Sequence, residues 1–300
     1  MKRRLMFCGW LTLLGILATY ASPQRLWYTQ SANYWTEALP LGNSHLGCMV
    51  YGGADTEEIQ LNEETFWSGS PYNNNSPTAR EYLQEVRDLI FQGKEKEAHP
   101  LIDKHFVTGP HGMRFLPAGK MMVKFWNHQT ATDYQRALSL DSAVATVCYT
   151  AGETRYRRTV IASLADNIIA MHIEADQDKA LNFSLSYESE LPLSRTVSGH
   201  VLTAVVNGVD QEGIPAGLKM ECRIWVETDG QLSDGARTIT VKDGRTATVY
   251  LTAATNFINY QDISGNASEK NDAVMESVRG KRFHELLQAH LTAYQSQYQR

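Results

Sequence analysis

The sequence predicts a mainly β fold: a large antiparallel β-sandwich, a super-sandwich, carrying a small helical insertion and a C-terminal linker-helix region. Three observations predict it. Between Met121 and Phe257 short β-rich runs follow one another, separated by Gly, Asp and Asn turns, at the spacing of sandwich strands. Helical periodicity is confined to residues 77–105 and to a stretch from about Ser268 onward. The 300 residues suffice to bury a sizeable core without metal or disulfide staples.

Residues 26–75 are aromatic and turn-rich. Strand candidates at Leu46 to Tyr51 and Glu58 to Leu61 flank the Gly52-Gly53 turn signal and read as a hairpin with loops attached. The first helix is predicted after Ser76 as N-cap, with Pro77 at the first helical position. Tyr82, Leu83, Val86, Leu89 and Ile90 fall at helical spacing, and Gly93 stops the run. A second helical pattern, Lys94 to His105, contains Pro100, which is expected to kink or break it.

The β-rich runs are Met121 to Trp126, Ala143 to Thr150, Thr154 to Ser163, Asn167 to Ala175 and Leu181 to Tyr187. They continue with His200 to Val206, Leu218 to Thr228, Thr238 to Val241 and Thr246 to Ala253. A hairpin is predicted across Ala151-Gly152-Glu153, and another at Asp243-Gly244. After Asp262-Ile263-Ser264-Gly265 the sequence turns charged and helical, interrupted near Gly280. Phe283, Leu286, Leu287, His290, Leu291 and Tyr294 share one face, a stripe that must be buried against something, with a following domain the expected partner.

The formal charge of −5, without a long basic run, gives no footprint for nucleic acid or an anionic membrane surface. Lys2, Arg3 and Arg4, then Leu5 to Leu17, then Ala18, Ala21 and Ser22 form a leader with cleavage near Ala21. Its apolar stretch is shorter than the roughly 20 residues a span requires. The chain is expected to be exported to the periplasm or cell exterior, with no membrane attachment after cleavage. Cys48, Cys148 and Cys222 are widely spaced, fit neither a disulfide framework nor a metal motif, and read as buried thiols.

Several runs carry a resemblance to glycoside hydrolase family 95, the α-L-fucosidase type. They are Leu26-Trp27-Tyr28 with Trp35, Glu37 to Asn43 leading into Leu46-Gly47, Val50-Tyr51-Gly52-Gly53 and, most specific, Leu61-Asn62-Glu63-Glu64-Thr65-Phe66-Trp67-Ser68-Gly69. Tyr134 to Leu138, Asp141 to Ala145, Tyr149-Thr150, Tyr156, Arg158 and Ala254-Thr255-Asn256-Phe257 follow in order. The resemblance implies an N-terminal β-sandwich, a helical linker, a catalytic (α/α)6 barrel and a small C-terminal β domain. It also implies inverting removal of terminal α-linked L-fucose, or L-galactose, from a glycan, with the reacting groups on the barrel and no cofactor.

On that alignment residues 1–21 are the leader, 22–265 the sandwich and 266–300 a linker that ends before the barrel, so no catalytic residue can be placed. Two departures stand out: Asn43-Ser44-His45 occupies the place of a glycine-bearing turn, and Leu116 to Lys120 replaces a Pro-Leu-Gly-Asp pattern.

Among the residues themselves, Asn62, Glu63, Glu64 and Trp67 are the best candidates for substrate binding or a domain interface. An indole can stack on the apolar face of a sugar while amides and carboxylates take its hydroxyls. The alternative places Phe66 and Trp67 in the core or against the barrel, with the two glutamates capping a turn. Neighbours on a strand point to opposite faces, so Glu63 and Glu64 make a poor acid/base pair. His99, His105, His111 and His128 are too widely spaced for a compact metal motif. No phosphate loop, nucleophile elbow or dinucleotide fingerprint occurs.

Three functions follow as expectations. The chain is a fragment of a fucosidase-like hydrolase, inactive without its barrel, which would then be a separate chain. Alternatively it is a stand-alone carbohydrate-binding module using Trp67, with a fucosylated glycan as partner, or a docking module acting through Phe283, Leu287 and Leu291.

Overall fold

The computed structural model describes residues 24–107 and 112–299. The expected leader and residues 108–111 lie outside them. The chain forms β1 (Arg25–Tyr28), β2 (Leu39–Gly42), β3 (Leu46–Val50), β4 (Thr56–Glu63), α1 (Ala79–Phe91), α2 (Glu95–His105), β5 (Gly119–Phe125) and β6 (Ala131–Ser139). It continues with β7 (Val144–Ala151), β8 (Thr154–Ser163), β9 (Ile168–Ala175), β10 (Leu181–Glu188), β11 (Leu193–Ser198) and β12 (Val201–Asn207). The last elements are β13 (Lys219–Thr228), β14 (Gln231–Asp234), β15 (Ile239–Gly244), β16 (Thr246–Thr255), α3 (Ala267–Val278) and α4 (Phe283–Tyr298).

Two antiparallel sheets result, a nine-stranded one in the order β1-β6-β7-β8-β9-β16-β13-β12-β11 and a seven-stranded one in the order β14-β15-β10-β5-β4-β3-β2. This is the mainly β sandwich that the sequence predicts. Alternation sets the layers: in β7, Ala145, Val147 and Tyr149 point inward while Val144, Thr146 and Cys148 point out. Ile59, Val123 and Phe183 of the smaller sheet meet Val147, Ile173 and Ile224 of the larger, all without solvent exposure. Each such side chain contributes about 1.5–3 kcal/mol.

The hairpin at Gly152 forms as predicted, with Ala151 opposite Thr154 and Gly152 at φ 61°. The second predicted hairpin does not form. Asp243-Gly244 instead carries the chain from one sheet to the other, since β15 pairs with β10 and β14 whereas β16 pairs with β9 and β13. The Asp229 carboxylate fixes this crossover by accepting from the Arg245 and Thr246 amides, 2.9 Å each.

The helical insertion differs in detail from expectation. Helix α1 begins at Ala79 rather than Pro77, yet Ser76 Oγ still accepts from the Thr78 and Ala79 amides. Of its apolar stripe only Val86 is buried, so α1 packs on α2 and leaves Leu83 and Ile90 exposed. Helix α2 runs through Pro100 unbroken. Its end is anchored by His105, whose ring stacks on Tyr82 at 3.5 Å and whose carbonyl accepts from Ser76 and Thr78.

The C-terminal helices pack on the outer face of the larger sheet, where Leu286 and His290 of the α4 stripe are buried and Phe283, Leu287 and Leu291 are partly covered. Leu286 and Val278 join Ile161, Ile168, Ala170 and Tyr250 in a second, smaller core. Polar contacts reinforce it: His290 Nε2 lies 2.9 Å from Ser142 O, Tyr294 OH donates to Leu140 O at 2.7 Å, and Lys281 Nζ reaches Asp166 at 2.7 Å. Helix α3 begins at the Asn266 cap, and the buried Asn271 ties it to Glu221 and Thr252.

Candidate functional site

The residues singled out by sequence lie at one end of the sandwich, where β4 leaves the smaller sheet. Inward positions of β4 are Glu57, Ile59, Leu61 and Glu63, and Asn62 faces outward opposite Gly47. Glu63 is sealed, 1 % exposed, while Glu64 opens the following turn with more than half its side chain in solvent. The two carboxylates thus differ in burial rather than in face: Glu63 is the last inward position of β4, Glu64 lies past the strand in the turn, and the opposite-face expectation fails because the strand period does not extend to Glu64.

Glu63 accepts from the Thr65 amide at 2.8 Å and from Thr65 Oγ1 at 2.8 and 3.0 Å. Thr65 Oγ1 in turn makes a close contact with Thr255 Oγ1 on β16. Burial pushes the Glu63 carboxyl up, and the Thr65 bonds and His45 offset part of that. Glu63 thus closes the turn and joins the two sheets at this end, the capping role given above as the alternative.

His45 completes the arrangement. The β2–β3 turn places it there: Asn43 Oδ1 accepts from the His45 and Leu46 amides, and Ser44 adopts φ 73°, a left-handed conformation that a glycine would take without strain. The ring spans the two carboxylates, with Nδ1 3.0 Å from Glu64 and Nε2 3.5 Å from Glu63 and 3.2 Å from Ala253 O.

Phe66 is fully buried, and Trp67 is not. The Trp67 indole donates to Glu64 O at 3.0 Å and leans on Phe115, ring centroids 5.0 Å apart, the two rings 42 % and 41 % exposed. Behind them Ser68 Oγ donates to Gln211 at 2.6 Å, and Gln211 also takes the Arg114 amide, tying three loops together. Asn256 pins a fourth, accepting from Lys219 N and donating to Gly217 O and Ile263 O.

Glu63, Glu64 and Trp67 are therefore brought around one turn, and Asn62 is directed away from it. Sequence reasoning missed His45, Phe115 and Thr255. The only signal for His45 was its place in a turn that departs from the family pattern.

The remaining runs behind the resemblance build the scaffold. Arg136 donates to the carbonyls of Gln30 and Glu37 at 2.8 and 2.7 Å, and Tyr134 OH donates to Gly52 O at 2.6 Å. Arg158 pairs with Glu57 inside the sandwich. His128 is buried among Phe125, Tyr149 and Tyr156, with Nδ1 2.9 Å from Tyr149 OH. Burial, and then the Arg158 charge, push it down to about 4. Cys48 and Cys222 are buried and Cys148 partly so; burial drives the Cys48 thiol up to about 12. Among the described residues no three His, Cys, Asp or Glu side chains converge to hold a metal ion.

The family model described as "Glycosyl hydrolase family 65, N-terminal domain" matches residues 26–260, which takes in both sheets and the turn around Glu63. The chain belongs to this family of glycosyl hydrolase N-terminal domains. The family 65 N-terminal domain found here is also similar to proteins named as fucosidases. Alpha-L-fucosidase 2 of Arabidopsis thaliana is 33 % identical over 172 residues, covering 56 % of this chain and 20 % of the relative. Probable alpha-fucosidase A of Aspergillus niger is 25 % identical over 270 residues, covering 85 % of this chain and 33 % of the relative.

This family 65 N-terminal domain therefore spans between a fifth and a third of the length of those relatives. The resemblance to fucosidase-type hydrolases read from the residues is met, although the matching family carries the number 65 and not 95. A candidate kojibiose phosphorylase of known structure, from the human microbiome, shares the fold: TM-score 0.50, 11 % identity, with 93 % of this chain and 38 % of the other covered.

Proposed function

We propose that this chain is the supporting sandwich domain of an exported glycoside hydrolase of the α-L-fucosidase type, acting on terminal α-linked L-fucose or L-galactose of a glycan and inactive without a separate catalytic domain. The observation that carries the reading is the pattern of coverage. Relatives named as α-fucosidases match most of this chain, and the chain matches only a third or less of them. The local chemistry supports it. Inverting hydrolysis requires an acid and an activated water on opposite sides of the sugar, with room between them. Glu63 is sealed by Thr65, and Glu64 opens to solvent in the adjoining turn, with His45 filling the space between the two carboxylates. On this reading the sandwich occupies about residues 22–265, residues 266–300 form the linker, and the leader directs the protein to the periplasm or beyond.

Sequencing the gene across and beyond the codon for Arg300 tests the proposal. A reading frame for a helical catalytic domain is expected there or immediately adjacent, and a locus without one contradicts the reading.

The exposed Trp67 and Phe115 pair favours a second reading, in which this end of the sandwich meets the sugar directly. Calorimetric titration of the chain and of Trp67→Ala with fucosylated glycans decides it, and two identical flat traces end it.

A further inference from the structure

The outer face of the larger sheet carries an open groove of about 1080 Å³ beside α4 that the proposed function does not use. Strand register orders its floor. Ala137, Thr146, Thr159, His172, Thr248 and Glu227 lie side by side on six successive strands. The neighbouring row on one side, Ile161, Ala170, Tyr250 and Trp225, is apolar and lies largely beneath the helices. The row on the other side contains Arg157, Glu174 and Thr246. One wall is the flank of α4, where Phe283, Leu287 and Leu291 recur every four residues and Phe283 stacks on His172 at 4.8 Å.

The groove is therefore amphiphilic along its whole length, with hydroxyls and an imidazole on the floor and apolar carbon on the wall. Its formal charges balance, Arg25, Arg157 and Arg282 against Glu174, Glu227 and Asp229. Burial keeps the His172 ring below the usual histidine range, so it adds no net charge near neutral pH, and its Nδ1 lies 2.9 Å from Thr248 Oγ1. A phosphorylated or carboxylated ligand has no excess of cations to meet here. A neutral ring with a hydroxylated edge and an apolar face fits floor and wall together. The volume matches that of sites which enclose extended small ligands.

We propose that this groove binds a neutral oligosaccharide laid across strands β7, β8, β9 and β16. The site lies on the outer sheet face and involves neither Glu64 nor Trp67, so it stands or falls apart from the fucosidase reading.

NMR titration of the methyl-labelled chain with maltotriose, with 2′-fucosyllactose and with the anionic 3′-sialyllactose tests it. Both neutral trisaccharides are expected to shift the methyls of Thr146, Thr159, Thr248 and Leu287, with Kd on the order of 1 mM. The anionic sugar should bind several-fold more weakly. Arg157→Ala, at an exposed position that leaves the fold intact, should weaken binding by about tenfold, and Thr159→Tyr, which fills the floor, should abolish it. The proposal is overturned if neutral sugars shift nothing at concentrations on the order of 10 mM, if shifts fall only around Trp67 and Phe115, or if Arg157→Ala binds like the parent. Floor shifts that arise only on concentrating the protein, with no sugar, would assign the groove to a protein contact and overturn it equally.

Discussion

Arg158 on β8 and Glu57 on β4 form an ion pair across the interior of the sandwich, Nη1 to Oε2 3.0 Å, with neither side chain reaching solvent. Glu57 Oε1 also takes the Gly52 amide at 2.7 Å, and the guanidinium lies over the rings of Phe125 and Tyr149. Burial pushes the Glu57 carboxyl up, and Arg158 opposes it. The pair joins the two sheets through Arg158, one of the residues that carry the family resemblance.

Removing one partner leaves the other charge buried and alone. Arg158→Met is expected to cost about 3–5 kcal/mol in urea unfolding, whereas the double variant Glu57→Leu, Arg158→Met recovers most of it. A single variant within about 1 kcal/mol of the parent would show that the pair does not hold the sheets together.

His128 should make stability pH-dependent. Its folded pKa, about 4, lies below the ordinary 6.5, so the unfolded chain binds the proton more tightly between those values. The contribution is fully present above about pH 6.5 and is lost as pH falls toward 4, amounting to about 3 kcal/mol. Denaturation at several pH values should show this slope in the parent and a flatter one in His128→Phe.

Glu63 and Trp67 should separate structure from surface. Glu63→Ala frees the Thr65 amide and hydroxyl and is expected to cost about 2 kcal/mol, whereas Trp67→Ala at the half-exposed ring should cost less than about 1 kcal/mol. Thermal melts of the two variants check the order, and the reverse order would remove Glu63 from its capping role.

Leu286 is the fully buried anchor of α4 against Ile161, Ile168 and Ala170. Leu286→Ala is expected to cost about 3 kcal/mol. Deleting residues 266–300 should uncover an apolar strip and drive self-association in size-exclusion chromatography. A well-behaved monomer after deletion would mean that the helices do not belong to the sandwich core.

How much of this was legible follows from burial. Strands such as β7 alternate cleanly because one face is sealed and the other only half-buried, while β8 is buried without a break from Arg158 to Ser163, where α4 and the core cover both its faces. The strands that sequence reading passed over include β1, β2, β11 and β14, which are the four sheet edges. Of these, β1 and β14 are almost wholly exposed and lack the period that betrays a strand, while β11 alternates only between half-buried and exposed positions. Strand β6 was missed for another reason, a register shift between Thr132 and Gln135 that breaks its alternation. At the site, adjacency on a strand did not separate Glu63 from Glu64, because β4 ends at Glu63 and one His45 ring contacts both carboxylates. His45, nineteen residues from Glu64, and Thr255, 190 residues from Thr65, reach it only through the fold.

The central claim is that the described turn around Glu63, Glu64 and Trp67 braces a sandwich and breaks no glycosidic bond by itself. The most direct test is the rate of L-fucose release from 2′-fucosyllactose by the purified chain, followed across pH against a protein-free blank. The account predicts release indistinguishable from the blank at every pH. Release above it that disappears in Glu64→Gln would contradict the account.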